Sequence, residues 1–136
     1  QEPSEKAAEA LGPVLTQIVE KASSASLYRI APQIKGDGPN LDGYPILQEK
    51  RLKPEQSQEV ARVRTALFDE GSYGGSPARC FIPHHAIRLH TPDPTATLIV
   101  CFECSQIRWV EGADTIFIRS EGPLLDLLEE MLSRTK

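Results

Sequence analysis

Over residues 4–22, apolar side chains recur at steps of three and four (Ala7, Ala8, Leu11, Val14, Leu15, Ile18 and Ala22), the spacing that lays one apolar stripe along a helix. Gly12-Pro13 interrupts the stripe, and proline is tolerated in a first helical turn but not in an interior, so a start or kink is predicted near Pro13. Alternation then replaces the helical period. Residues 26–31 read as a short strand ended by Pro32. Residues 33–43 carry Gly36, Asp37, Gly38, Pro39, Asn40, Asp42 and Gly43, a composition for an exposed loop. Residues 44–50 read as a second strand, with Pro45 suited to an edge.

The helical period returns from Pro54, with Val60, Val63, Ala66 and Leu67 on one stripe and a stop near Asp69-Glu70-Gly71. A Gly/Ser-rich connection over residues 71–77 leads into two segments rich in Ile, Leu, Val and Phe, residues 79–90 and 97–110, with Thr91-Pro92-Asp93-Pro94 as the turn between them. A further turn at residues 111–114 and a strand at 115–119 complete an antiparallel meander. Ser120 is placed to cap a final helix whose apolar face is Leu124, Leu125, Leu128, Met131 and Leu132. This order predicts one α+β domain over residues 1–136: a mostly antiparallel sheet with a C-terminal three-stranded meander, helices packed on one face, and residues 1–5 as a disordered lead.

Composition narrows the function classes. Fifteen basic against nineteen acidic side chains give a formal charge of −4, which offers no overall attraction to phosphate backbones, so nucleic acid is not an expected partner. The apolar runs fall short of the roughly 20 residues that a membrane-spanning helix requires. The sequence opens on Gln1-Glu2-Pro3-Ser4-Glu5, a polar lead of the kind that follows a removed export segment, and an extracytoplasmic protein is expected. Three cysteines permit at most one intrachain bridge, so in an oxidising compartment one thiol is left over.

All three cysteines, all three histidines and the only tryptophan fall within residues 79–110. Cys80 and His85 are followed by Cys101-Phe102-Glu103-Cys104, and three soft thiolates with one imidazole are what a closed tetrahedral zinc site uses. If the hairpin turn is centred near Pro94, Cys104 faces His84 and Cys101 faces Ile87, with His85 close to both cysteines and Cys80 further along, beyond Pro83. Against zinc, Cys101 and Cys104 point to opposite faces of a regular strand, and no glycine stands near them to make the turn that chelation requires. Four readings stay open: inert core packing, a structural metal, a disulfide from Cys80 to Cys101 or Cys104, and a Cys104 nucleophile beside His84 or His85.

Cys80-Phe81-Ile82-Pro83-His84-His85-Ala86-Ile87-Arg88, followed by Val100-Cys101-Phe102-Glu103-Cys104, resembles a group of small bacterial proteins. Its members carry a C-x2-P-x-H-(G/A)-(I/L)-R block and then an (I/V)-C-F-E-C block. The resemblance singles out Cys80, Pro83, His85, Arg88, Cys101, Glu103 and Cys104, leaves His84 and His90 outside the pattern, and implies a fold and export to the periplasm or beyond, with a lipid anchor in some precursors. It names no reaction. Two further pairings follow from the residues themselves: Arg88 and Glu103 as a cross-strand ion pair, and Trp109 on one core face with Ile107 and Cys101.

The expected function is therefore a non-enzymatic, exported domain that binds another protein, with a structural cysteine cluster. The alternative is a zinc-binding domain using Cys80, His85, Cys101 and Cys104, and the third reading is a thiol-dependent enzyme.

Overall fold

In the computed structural model, which describes residues 1–77 and 81–133, the N-terminal stripe folds as helix α1 (Glu5–Lys21). Ser4 Oγ accepts from the Ala7 N–H at 3.1 Å, which satisfies one of the donors that a helix start leaves unpaired. Gly12 leaves the helical region (φ 79°) and Pro13 restarts it, so one stripe buries Ala7, Leu11, Leu15, Ile18 and Val19 across the kink. Gln1–Ser4, expected as a lead without structure, lies along the second helix. The Gln1 side-chain amide donates to Thr65 Oγ1 at 3.0 Å and the Ser4 N–H donates to the Phe68 carbonyl at 3.0 Å.

Helix α2 (Ser57–Phe68) begins later than Pro54, which sits in the preceding turn, and it is followed by a short 3-10 turn, Glu70–Ser72. Its expected stripe is buried. Helix α3 (Pro123–Ser133) places proline at its first position, where no N–H is needed. That start leaves Ser120 exposed and outside the cap, and Leu127 rather than Leu125 completes the buried face.

The strands are β1 (Ser24–Ile30), β2 (Asn40–Leu41), β3 (Tyr44–Leu52), β4 (His85–His90), β5 (Ala96–Cys101), β6 (Gln106–Trp109) and β7 (Asp114–Phe117). They form one antiparallel sheet in the order β2-β3-β1-β4-β5-β6-β7. The fold is α+β, but the meander has four strands rather than three, because residues 97–110 bend back on themselves after Cys101. Residues 81–84 precede β4 as irregular chain, and Arg79 and Cys80 lie outside the described residues.

The three helices cover one face. Leu27 of β1, Leu52 of β3, Ile87 and Leu89 of β4, Leu98 and Val100 of β5, and Ile107 of β6 pack with the helix stripes in the main core. Each such side chain contributes about 1.5–3 kcal/mol by leaving water. A smaller cluster lies on the opposite face, where the loop before β3 folds over Tyr28, Ile30, Ala86 and Ile99 with Leu41 and Tyr44. The two-residue side-chain period of β1 and β4 separates these faces cleanly.

The connection out of the 3-10 turn runs against the segment after β7. Tyr73 bridges Ile118, and a Cβ on Gly75 would lie 1.9 Å from the Ile118 carbonyl oxygen, a backbone atom that cannot swing away. Gly75→Ala is expected to lower stability by about 1–3 kcal/mol in urea denaturation, the usual scale for overpacking. Gly36→Ala, where no atom stands within 4 Å of the added Cβ, is expected to leave the midpoint unchanged.

Candidate functional site

The Cys101-Phe102-Glu103-Cys104 segment forms the tight connection between β5 and β6, with Cys101 opposite Gln106 at its base. Ser105 takes a left-handed conformation (φ 57°), and its N–H donates to the Phe102 carbonyl at 3.1 Å. A non-glycine residue there is uncommon and needs outside support. The Ile118 N–H gives that support by donating to the Ser105 carbonyl at 3.0 Å.

The turn brings the two cysteines together as a disulfide, Cys101–Cys104, with a Cα–Cα distance of 5.2 Å. This is neither of the bridges expected from Cys80, and it corrects the placement of the pair on opposite faces of one strand. The sulfurs are enclosed: Cys101 is 1% and Cys104 2% exposed. The Cys104 N–H reaches Cys101 Sγ at 3.0 Å, the Ile82 N–H reaches Cys104 Sγ at 3.3 Å, and Cys101 Sγ lies 3.3 Å from the Ile82 carbonyl oxygen. The segment before β4 is thereby latched onto the turn, and Phe81 in the same segment lies under Arg108, whose guanidinium carbon is 3.9 Å from the ring centroid.

The histidines arrive from the start of β4. The hairpin to β5 is centred between Pro92 and Asp93 rather than at Pro94, so His85 faces Val100 and Arg88 faces Thr97. His84 is exposed and stands 3.5 Å from Glu103, a solvent-screened contact of small worth. His85 is 6% exposed, packs edge-on against Phe102 with ring centroids 5.3 Å apart, and has an enclosed Nε2 without a hydrogen-bond partner. Burial pushes its imidazole down to about 4; nearby Glu129 opposes the shift while Arg29 and His84 add to it. A cleft of about 490 Å³ runs beside these groups, lined also by Arg29, Glu121, Leu125 and Glu129. Arg29 bridges to Glu129 at 2.8 Å, tying β1 to α3.

Of the proposed ligand set, Cys101 and Cys104 meet and His85 flanks their turn through Phe102; Cys80 lies outside the described residues. In the bridged state neither sulfur carries the charge that a zinc ligand needs, so coordination by this quartet belongs to a reduced form. Among the described residues no group of three or more metal-ligating side chains converges. The Arg88–Glu103 pair does not form, since Glu103 sits in the turn beside His84 while Arg88 lies across from Thr97. Trp109 shares its face with Ile107, Val100 and Leu98, not with Cys101, which is opposite Gln106. Glu129 went unrecognised because in sequence it reads as an ordinary solvated position on an amphipathic helix; only the packing of α3 brings it to Arg29 of β1. In comparisons with known proteins, no family model, no curated protein and no solved structure matched the chain.

His85 sets a stability limit on the acid side. Its folded pKa lies below the unfolded value of about 6.5, so the native state resists a proton that the unfolded chain accepts, and stability falls as pH drops from about 6.5 toward about 4. Between pH 7 and pH 5, chemical denaturation is expected to show a loss in the parent chain that exceeds the loss in His85→Gln by up to about 2 kcal/mol, the remainder coming from groups such as His90. An equal loss in both proteins would show that His85 is not the responsible group.

Proposed function

We propose that the chain acts by binding rather than catalysis, in an oxidising extracytoplasmic compartment, with the Cys101–Cys104 bridge as a structural clasp. The observation that carries this reading is the burial of both sulfurs inside a closed turn. A nucleophilic or exchanging cysteine works as an accessible thiolate, usually beside a cationic group or a helix N-terminus. Here the pair lies at a hairpin tip, under the Ile82 backbone, and its neighbouring imidazole His85 is held neutral by burial. The clasp joins β5 to β6 and holds the segment leading into β4, so it positions a surface without itself being one. Its partner, in this reading, is a protein or small ligand that meets the exposed faces of the domain. Persistence of such a bridge fits an exported chain.

A second reading draws on the same turn. N–H groups from Cys104 and Ile82 point at sulfur, an arrangement that also stabilises thiolates, and a C-x2-C turn in reduced form presents two of the four zinc ligands on one side. Cys80 and His85 would complete that set.

Alkylation before and after reduction, read by mass spectrometry beside a native spectrum, separates the two. The clasp predicts one label without reductant, three after it, and no bound metal. Three labels without reductant together with a stoichiometric zinc would overturn the clasp in favour of the metal. Reduction of the clasp is expected to lower stability by about 2 kcal/mol, the loop-closure scale for so short a ring, in denaturation with and without reductant.

A further inference from the structure

On the sheet face away from the helices, we propose a binding site for a small organic oxyanion, a carboxylate or phosphate ester with an apolar body, held by Arg88 and Arg51 in the cleft over β3, β1 and β4. The proposal rests on the binding-domain reading and gives it a site and a ligand class.

Three strands build it. Ser26 of β1 faces Arg51 of β3 on one side and Arg88 of β4 on the other, so the two guanidinium groups flank a hydroxyl in one row across the sheet. The next row sets Tyr28 opposite Glu49, and His90 faces Ser24. The loop carrying Leu41 closes one side, and the resulting cleft holds about 510 Å³. Ile46 and Pro54 also line it, which gives a ligand's apolar body somewhere to rest.

The polar groups are unequally satisfied. Glu49 accepts from Tyr28 Oη at 3.2 Å and pairs with Arg51 at 3.2 Å, so its charge is answered. Glu111 is committed to the Thr97 N–H and hydroxyl at 2.6 and 2.7 Å. Arg88 has an enclosed Nε with no hydrogen-bond partner and forms no ion pair among the described residues. Arg88 lines the cleft, and its guanidinium fork matches a carboxylate or phosphate group in two places. His90, with Nε2 at 3.4 Å from Ser26 Oγ, is kept toward its neutral form by burial, with Arg88 and Arg51 adding to the effect. Lys53 at the lining adds a further cation. In a chain of formal charge −4, this concentration of positive charge around a concavity is local.

The test is an amide NMR titration of the whole chain with sodium hexanoate, with phenyl phosphate, and with 1-hexanol as the neutral control. Saturable shifts at Ser26, Tyr28, Arg88 and His90 with at least one acid, and none with the alcohol, are expected; which acid binds tighter identifies the head group. Arg88→Gln should weaken binding by about tenfold, the scale of one charged hydrogen bond. Arg51→Gln, altered at a side chain that is 75% exposed and so tolerant of change, should weaken it by about threefold. Equal affinity in both variants, binding of hexanol as tight as hexanoate, or shifts that map elsewhere would overturn the site. Absence of any shift overturns it as well, and leaves the alkylation result to decide the clasp independently. Consumption of a probe with the cleft shifts retained keeps the site and overturns the non-enzymatic reading.

Discussion

The architecture depends on β1 being hydrogen-bonded along both edges. Ala25–Ile30 pair with β3 on one side and Ser24–Arg29 with β4 on the other, joining the N-terminal strands to the C-terminal meander. Because strand side chains alternate, that single placement divides the molecule. Ala25 and Leu27 enter the core beneath the helices, whereas Ser26 and Tyr28 open onto the other face. Sliding β1 by one residue would put Ser26 and Tyr28 into the main core and expose Leu27. Register is therefore fixed by the cost of inverting both faces.

The disulfide turn and the cleft lie at different ends of β4 and do different work. At the His85 end, the clasp, the Ile82 backbone and the buried imidazole form a rigid, desolvated corner whose polar atoms are directed inward. At the His90 end, guanidinium groups and hydroxyls face a solvent-open concavity. A residue set that looks like one cluster along residues 79–110 is thus divided between a structural corner and a candidate binding surface, with Arg88 belonging to the second.

Much of this was legible in the sequence because periodicity reports burial. The stripes of α1, α2 and α3, the strand character of β1, β3 and β4, and the α+β class all follow from apolar spacing. The division of residues 97–110 was not legible. Phe102-Glu103 has no turn-forming residue, and the left-handed Ser105 is held by Ile118, a contact from the far side of β7. The three-residue shift from Pro54 to the start of α2 at Ser57 and the misplacement of the Ser120 cap have a similar origin, since both helix starts are decided by the loops that dock them.

The sequence by itself determined the three helical stripes, the strand character of β1, β3 and β4, the α+β class, and the concentration of thiols and imidazoles in one stretch. Only the tertiary structure decided that Cys101 and Cys104 meet each other, that Glu103 turns to His84 rather than Arg88, and that Arg88 joins Arg51 across Ser26. The physical reason is that local periodicity fixes which side of an element a residue occupies, whereas the partner it meets there is set by register and by turns whose stabilising contacts come from distant parts of the chain.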